Sequence, residues 1–326
     1  MIPVFAAAES PSDNFVSFDV PFWVWLALIA AIVIMLVVDL LLVHRTPHEI
    51  SIKEAGIESA VWISIGLAFT GVILWWQGAQ AAGEYLAGYL IEKSLSVDNV
   101  FVWAVIFSYF AIPRKYQFRV LFWGIFGALV LRAVFIFAGV ALIEQFDWIL
   151  YVFGAFLLFT AWRIYRHEET EVHPENNPVL KLVQRIIPST QELDGQKLFT
   201  RKYGRLLATP LFAVLILVET TDVVFAVDSI PAILAVSHEE FIVFSSNAFA
   251  ILGLRALYFL LAGMQGRFRY LNTGLAVILG FVGVKMLLLD VYHIPTWLSL
   301  LVIAVILAVT IWASLRADRR EEMAAS

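Results

Sequence analysis

Ionisable side chains lie within the most apolar stretches of this 326-residue chain. Six carboxylates and four cations share this setting: Asp39, Glu92, Asp98, Glu219, Asp222, Asp228, Lys93, Arg132, Arg255 and Lys285. A charge at the centre of a bilayer costs about 2.5–3.5 kcal/mol on insertion scales, so these groups must meet one another or water inside a helical bundle. The negative charges exceed the positive charges by two, which matches the charge of one divalent cation.

The segment EYLAGYLIEKSLSVDNVFVW places polar side chains on one face of a predicted helix. At about 100° per residue, Glu92, Ser96 and Asn99 fall on the same face, and Asp98 lies about 120° away from Glu92. Either Glu92 and Asp98 face different partners, or the helix is distorted between them. Lys93 is expected to pair with an acidic residue of a neighbouring helix or with the site itself.

The segment LATPLFAVLILVETTDVVFAVDSIPAIL carries three carboxylates within ten residues. Glu219 and Asp222 are three residues apart and share a helix face. Pro231 removes the hydrogen bond to the carbonyl of Val227, so we expect the helix to break beside Asp228. A broken helix with carboxylates on both sides of the break is how transporters build cation sites.

The candidate metal ligands are all oxygen donors: Asp98, Glu219, Asp222, Glu92, Asn99, Asp228 and Asn247. The six histidines lie outside the apolar stretches, and the chain has no cysteine. An all-oxygen ligand set suits Mn²⁺, Mg²⁺ or Ca²⁺ rather than Zn²⁺ or Cu⁺, and intramembrane carboxylates also relay protons. The sequence has no phosphate-binding glycine loop, HExxH motif or His/Cys nucleophile pair, so we expect neither an enzyme nor a bound cofactor.

The elements that must position these residues are membrane helices. The chain is 61% hydrophobic and 15% charged, with a mean hydropathy of +0.84, whereas soluble domains carry about 25% charged residues. Nine stretches reach the length of about 20 mostly apolar residues that a span requires: 21–43, 57–76, 85–110, 118–143, 147–165, 207–236, 241–263, 271–289 and 296–315. We predict an all-α polytopic bundle that forms one membrane domain over residues 1–326. The net charge of −5 disfavours nucleic acid as a partner.

Lysine and arginine residues between the predicted spans alternate from one connection to the next. Eighteen of the 22 lie on alternate connections and on the C-terminal tail, and the intervening connections carry none. Because cytoplasmic loops are enriched in these residues, the pattern places the N-terminus outside and the C-terminus in the cytoplasm. The longest cytoplasmic connection, 166–206, forms either an amphipathic helix at the membrane surface or an ordinary solvated loop with one short helix.

Two segments of the chain share a motif in which an aspartate precedes an arginine. Asp98 lies 34 residues before Arg132, and Asp222 lies 33 residues before Arg255. Residues 85–165 and 207–289 are therefore predicted to form two three-helix repeats, with 21–43 as the first helix of the chain and 296–315 as the last. An odd number of spans inverts the second copy, which puts a shared site near the bilayer midplane. Arg132 and Arg255 are its expected counter-charges.

Internal ion pairs that only stabilise the bundle are the alternative explanation for the buried charges. That explanation suits Lys285, near a span end from which its amine can reach the membrane surface. It also suits Asp39, near the cytoplasmic end of the first span. The remaining charges cluster near mid-depth, which favours a polar pathway or an ion site.

Five runs of sequence resemble the TerC/Alx family of bacterial membrane proteins. They are GYLIEKSLSVDNVFVW, FGALVLRAVFIFAG, QFDWILYVFGAFLLFTAWRI, ATPLFAVLILVETTDVVFAVDSIPAILAV and SNAFAILGLRALYFLLAG. The resemblance implies an inner-membrane exporter built from three-span repeats, associated with manganese and, by older naming, with tellurium resistance. It also implies that the family's acidic motifs are carried by Glu92, Asp98, Asn99, Glu219, Asp222 and Asp228.

Two functions from different classes remain open at this point. The first is a secondary transporter that exports Mn²⁺ or another hard divalent cation around Asp98, Glu219 and Asp222, with proton entry as the coupled step. The second is a membrane scaffold or assembly factor that delivers metal or docks a protein partner through the 166–206 loop. In that case the intramembrane charges are ion pairs that stabilise the bundle. Efflux of Ca²⁺ or a cationic metabolite through the same site is a weaker third hypothesis.

Overall fold

The computed structural model describes residues 15–39, 50–146, 148–166, 178–202, 204–261, 270–288, 291–292 and 294–325. Within these ranges it describes the backbone alone at 98, 178, 183–184, 271–272, 315 and 318–325. Six helices in these ranges are long and apolar enough to cross a membrane. Two shorter apolar helices, Phe22–Val38 and Thr273–Leu287, accompany them. The predicted all-α membrane bundle is thereby confirmed, whereas the number of crossings stays a prediction.

The elements follow one another in the order of the predicted spans, with one insertion. The bounds are α1 Phe22–Val38, α2 Ile52–Tyr109, α3 Arg114–Gln145, α4 Ile149–Arg166, α5 Pro178–Ile186, β1 Phe199–Lys202, β2 Arg205–Ala208, α6 Pro210–Leu234, α7 Glu240–Leu252, α8 Leu254–Leu261, α9 Leu271–Leu287 and α10 Thr296–Ala325. The insertion, α5 with β1 and β2, lies between α4 and α6, and the remaining elements form the bundle.

The 58-residue helix α2 folds back on itself at Gly78. This glycine has φ 88° and ψ −176°, a backbone region that essentially only glycine occupies. The Tyr85 hydroxyl donates to the Gly66 carbonyl oxygen at 3.0 Å, and the Phe69 and Tyr85 rings lie 5.3 Å apart. In a straight helix, residues 66 and 85 would be about 28 Å apart. The predicted spans 57–76 and 85–110 are therefore arms of one helical hairpin, called here α2N (52–77) and α2C (79–109).

The predicted span 241–263 is divided at Gly253 into α7 and α8. A Cβ atom on Gly253 would lie 2.8 Å from the Cβ of Trp62 and 3.1 Å from the Nζ of Lys93. Since Trp62 belongs to α2N and Lys93 to α2C, both arms of the hairpin approach this point closely. The absence of a side chain at Gly253 permits that approach.

Helices of the two predicted repeats pack against each other in a reciprocal pattern. Helix α2 contacts α7 and α8, α3 contacts α6, and α4 lies along α9. In the predicted repeats, α2C corresponds to α6, α3 to α7 with α8, and α4 to α9. The contact of α2 with α7 and α8 is therefore equivalent to the contact of α3 with α6, and the contact of α4 with α9 is equivalent to itself, as an inverted repeat requires. A Cβ atom on Gly154 would lie 3.1 Å from the Gly283 carbonyl oxygen, and one on Gly283 would lie 3.0 Å from that of Gly154. These glycines let α4 and α9 cross closely, and the repeat itself stays a prediction.

The predicted break of the sixth span at Pro231 is wrong. Helix α6 runs without interruption from Pro210 to Leu234, and Pro231 lies in its last turn. A proline removes one hydrogen bond and crowds the turn before it, which can kink a helix. Here only three helical residues follow Pro231, so there is no second helical segment for a kink to reorient. The helix also begins at Pro210 rather than at the predicted residue 207, because Arg205–Ala208 forms a strand.

The connection 166–206 contains more structure than its sequence predicted. Helix α5 matches the short helix expected in its second half, and residues 167–177 lie outside the described residues. The sequence did not predict the antiparallel hairpin of β1 and β2. The hairpin is fixed to the start of α6, since the Thr209 hydroxyl donates to the Lys197 carbonyl oxygen at 2.7 Å and the Phe199 and Phe212 rings lie 4.5 Å apart.

Replacing Gly78 with alanine should lower the free energy of unfolding by about 1–3 kcal/mol, because the new residue must keep a positive φ. Thermal unfolding in detergent, followed by circular dichroism, measures the change. The control is Gly71→Ala in the same helix, where the added Cβ meets nothing within 4 Å. It should be neutral or stabilise by up to about 1 kcal/mol. Equal destabilisation by both variants would contradict a hairpin that turns at Gly78.

Candidate functional site

A buried arginine joins two buried carboxylates at the centre of the bundle. The Nη2 and Nε atoms of Arg132 donate to the two carboxylate oxygens of Asp222 at 3.0 and 3.3 Å. Its Nη1 atom donates to Glu92 Oε1 and, at 3.1 Å, to the Ser229 hydroxyl. The side chains of Arg132, Glu92 and Asp222 are each at most 2% exposed. Such paired hydrogen bonds hold the guanidinium in one fixed orientation.

Four helices, two from each predicted repeat, supply this cluster. Glu92 comes from α2C, Arg132 from α3, Asp222 from α6 and Asn247 from α7. The Asn247 amide donates to Glu92 Oε2 at 3.1 Å, and the Ser96 hydroxyl donates to Glu92 Oε1 at 3.3 Å. Glu92, Arg132, Asp222 and Asn247 were all predicted as site residues from the sequence, and the fold brings them together.

Glu219 adds a further carboxylate one helix turn before Asp222. Its carboxyl group lies against Gly127 of α3, so closely that a Cβ atom on that glycine would overlap it. The Oε2 atom of Glu219 is buried and has no hydrogen-bond partner among the described residues. Glu92, Asp222 and Glu219 carry three negative charges, and Arg132 together with Lys93, which interacts electrostatically with Glu92, carries two positive charges. This region therefore keeps an excess of one negative charge.

Asn99 lies on the same helix face as Glu92, two turns further along α2C. It is 1% exposed, and within the described part of the chain neither its Oδ1 nor its Nδ2 atom finds a hydrogen-bond partner. Buried amides normally have partners in protein or water, so Asn99 is suited to bind water or an ion. Its predicted neighbour Asp98 lies outside the described side chains. Residues 79–109 are helical throughout, so the distortion that the sequence allowed between positions 92 and 98 is absent.

Asp228 does not join the central cluster. It accepts a hydrogen bond from the Thr160 hydroxyl at 3.1 Å and lies 3.8 Å from Arg163, both on α4. Because α6 is unbroken, six residues rotate Asp228 about 120° away from Asp222. The expectation that this carboxylate shares the site depended on the break at Pro231 and fails with it.

Arg255 belongs to a second, separate cluster. It pairs with Asp39 at the end of α1 and with Glu58 of α2N, and its guanidinium lies 4.3 Å from the centre of the Phe118 ring. The predicted role of Asp39 as a structural partner fits this contact. Arg255 was expected to neutralise the same site as Arg132, and its carboxylate partners instead come from outside both repeats. Glu58 was missed, although it lies within the predicted span 57–76.

The two predicted lysines are both turned inward. The Lys93 amine donates to the Ala250 carbonyl oxygen at 3.1 Å and interacts electrostatically with Glu92 of the central cluster. Lys285 is only 2% exposed, so its expected reach to the membrane surface is wrong. Its amine lies 5.9 Å from the centre of the Phe15 ring and interacts electrostatically with Glu84. Glu84 was missed because it directly precedes the predicted span 85–110.

A complete metal-binding shell is not formed by the described side chains. Among them, no three Asp, Glu or His residues are grouped closely enough to hold a metal ion. The central cluster contributes two carboxylates, an amide and two hydroxyl groups, and Asp98 is not among the described side chains. Binding of Mn²⁺ therefore stays a prediction.

Comparisons with known proteins identify a matching family and similar proteins. The model of the family described as "Integral membrane protein TerC family" matches residues 77–322. The Myxococcus xanthus protein "Uncharacterized membrane protein STKORF319" is 50% identical over 296 residues, which cover 90% of this chain and 92% of that protein. The Escherichia coli K12 protein "Putative membrane-bound redox modulator Alx" is 49% identical over 310 residues, 91% of this chain and 96% of that protein. No solved structure matches the chain.

Replacing Arg132 with methionine should lower the free energy of unfolding by about 3–5 kcal/mol, because it leaves two buried carboxylates without their counter-charge. Unfolding of the purified protein from mixed micelles by added sodium dodecyl sulfate measures the loss. The matched control is Arg163→Met, which removes a 53% exposed arginine that lies 3.8 Å from its carboxylate partner. The control should cost less than about 1 kcal/mol. Similar losses in both variants would contradict a cluster that depends on Arg132.

Proposed function

The chain belongs to the TerC family of integral membrane proteins, and on this premise we propose that it is a secondary transporter that exports a divalent metal cation. The substrate is Mn²⁺, which leaves the cytoplasm across the bacterial inner membrane while protons enter. The N-terminus lies outside and the C-terminus in the cytoplasm. In this proposal the metal is cargo rather than a cofactor, and the protein is not an enzyme.

One observation carries this proposal: carboxylates from both predicted repeats meet around a single buried arginine. Glu92 of the first repeat and Asp222 of the second share Arg132, and Glu219 adds a charge without a recorded partner. Ionisable residues within membrane spans are rare, and an ion pathway is the default interpretation of their presence. Transporters built from inverted repeats place their substrate site at the repeat interface near the bilayer midplane.

Arg132 takes the place of the cation while the site is without metal. Its paired hydrogen bonds to Asp222 connect α3 of one repeat to α6 of the other. Relative motion of the repeats must break or lengthen those bonds. Arrival of a divalent cation at Asp98, Glu219 and Asp222 competes with the guanidinium for the Asp222 oxygens. This competition couples binding to the motion that exposes the site on the other side.

The chemistry of the donors favours Mn²⁺ over softer metals. Carboxylate, amide and hydroxyl oxygens suit Mn²⁺, Mg²⁺ and Ca²⁺, whereas thiolates would favour Zn²⁺ or Cu⁺. The chain has no cysteine at all. Within the hard divalent cations, Mn²⁺ is proposed from the resemblance to manganese exporters, and uptake of each cation into everted vesicles, with and without a pH gradient, tests that choice.

A scaffold or metal-delivery role is the second candidate, and the contacts of Arg132 are the observation that favours it. Glu92 and Asp222 are both paired with this one arginine, as structural charges would be. The E. coli relative is named a putative redox modulator, but without cysteine this chain cannot perform thiol chemistry itself. Deleting 167–177 from the cytoplasmic loop separates the roles, because a transporter should keep its flux and a docking protein should lose its partner.

Replacing Asp222 or Asp98 with asparagine should raise cellular manganese under manganese stress, because each change removes a charge that the cation needs. The loss of affinity should be at least about tenfold, the effect of removing even an indirect partner at metal sites. Elemental analysis of washed cells measures it, with the amount of protein in the membrane measured in parallel. Glu239→Gln, at the outer end of the bundle, is the control and should leave manganese unchanged. Normal manganese content in cells with inserted Asp222→Asn protein would argue against transport.

A further inference from the structure

A polar stripe runs along α2C from its outer end to the central cluster and beyond. Glu84, Gly88, Glu92, Ser96 and Asn99 follow one another at steps of four, four, four and three residues. These steps keep all five positions within about 120° of one another around the helix. The stripe thus links the central cluster to Glu84, a carboxylate outside the proposed metal site.

Glu84 is fully buried, with an exposed fraction of 0%. Its Oε1 atom accepts a hydrogen bond from the Val16 backbone amide at 3.0 Å. Its Oε2 atom is buried and makes no hydrogen bond of ordinary geometry to the described residues, although the side chains of Ser237 and Gln80 lie beside the carboxyl group. Glu84 is therefore a buried acid with one oxygen left over for a proton or a water molecule.

The charges around Glu84 favour a proton over a metal ion. Lys285 of α9 is the cation that acts on it, and an ammonium group repels a divalent cation. The other titratable groups of this region, His238 and Glu239, contact the N-terminal segment that covers Glu84. The Phe15 and His238 rings lie 4.1 Å apart, and Glu239 Oε2 accepts from the Phe18 amide at 3.2 Å.

A hydroxyl group lies between Glu84 and the central cluster. Glu84 and Glu92 are separated by about 12 Å along the helix axis, with Gly88 midway between them. A Cβ atom on Gly88 would lie only 2.8 Å from the Ser246 hydroxyl oxygen of α7. The next residue of α7, Asn247, bonds to Glu92. Polar groups of α2C and α7 thus form a seam from Glu84 to the centre, with gaps that single water molecules can bridge.

We propose that Glu84 is the residue that takes up protons from the extracytoplasmic side and passes them along the seam between α2C and α7. The carboxylate binds one proton from external water and becomes a carboxylic acid. The proton then moves through intervening water to the Ser246 hydroxyl, which accepts it while giving up its own proton, and onward to the Glu92 carboxylate. Glu84 thereby returns to its charged form. This inference rests on the proposed proton-coupled export and assigns its proton entrance.

The experiment uses the purified full chain in proteoliposomes and separates metal movement from proton coupling. Exchange of external for internal Mn²⁺ without a pH gradient measures metal movement alone. Proton flux driven by a Mn²⁺ gradient, followed with a pH-sensitive dye, measures coupling. Glu84→Gln should keep exchange within about twofold of the unaltered protein and lose about 100-fold of the proton flux, the usual contribution of a positioned acid–base group.

The matched control is Glu239→Gln, because Glu239 also accepts a hydrogen bond from the N-terminal segment but lies off the seam. It should change neither flux. Unchanged proton flux in Glu84→Gln overturns the inference. Loss of exchange together with proton flux also overturns it, because Glu84 would then serve the metal site or the fold. Absence of Mn²⁺ exchange in the unaltered protein overturns the proposed function instead.

A second measurement tests proton binding at Glu84 without transport. Glu84→Asp keeps a carboxyl group at the position, so its folding is less at risk than that of the glutamine variant. Infrared difference spectra between acidic and neutral pH record the protonated carboxyl groups. The inference predicts a carboxyl band that shifts between the unaltered protein and Glu84→Asp. Identical spectra would show that this residue does not change its protonation, and would overturn the inference whatever the transport results.

Discussion

The guanidinium of Arg132, held between Glu92 and Asp222 in the interior of the bundle, is the interaction on which the rest of the structure depends. A buried charge that lacks its partner is strongly destabilising, so each helix that supplies a member of the cluster must keep its depth and rotation. This constraint explains the glycines at the contacts between these helices. Gly127 admits the Glu219 carboxyl group, and Gly88 brings α2C close to Ser246 of α7.

Arg132 and Arg255 occupy equivalent positions in the two predicted repeats but have different surroundings, and this difference bears on function. Arg132 pairs across the predicted repeats, so its bonds are strained by any relative motion of the two halves. Arg255 pairs with Asp39 and Glu58 on α1 and α2N, which ties the second repeat to the segment that precedes both. An inverted repeat therefore need not be symmetric in its charges: one arginine lies in the proposed site and the other anchors a neighbouring hairpin.

The central site was predictable from the sequence because charge is costly in a membrane and few arrangements relieve that cost. Asp222 and Arg132 could be chosen from their depth and matched spacing, and Glu92 from its depth in the span. The break predicted at Pro231 was wrong because a proline divides a helix only where a helical segment follows it, and α6 ends three residues later. The partners of Arg255 and Lys285 depend on which helices become neighbours, and spacing along one chain does not contain that information. The hairpin of β1 and β2 was missed because its short strands lack a clear alternation of apolar residues.

Direct binding of Mn²⁺ to the purified protein tests the central claim that buried acids from both halves form one cation site. Free Mn²⁺ gives a sharp electron paramagnetic resonance signal that is lost when the ion is bound, so a titration counts the sites. The account predicts a single site per chain whose affinity falls at low pH and which is absent in Asp222→Asn. Full retention of the free-ion signal by the unaltered protein, or unchanged binding by Asp222→Asn, would contradict it.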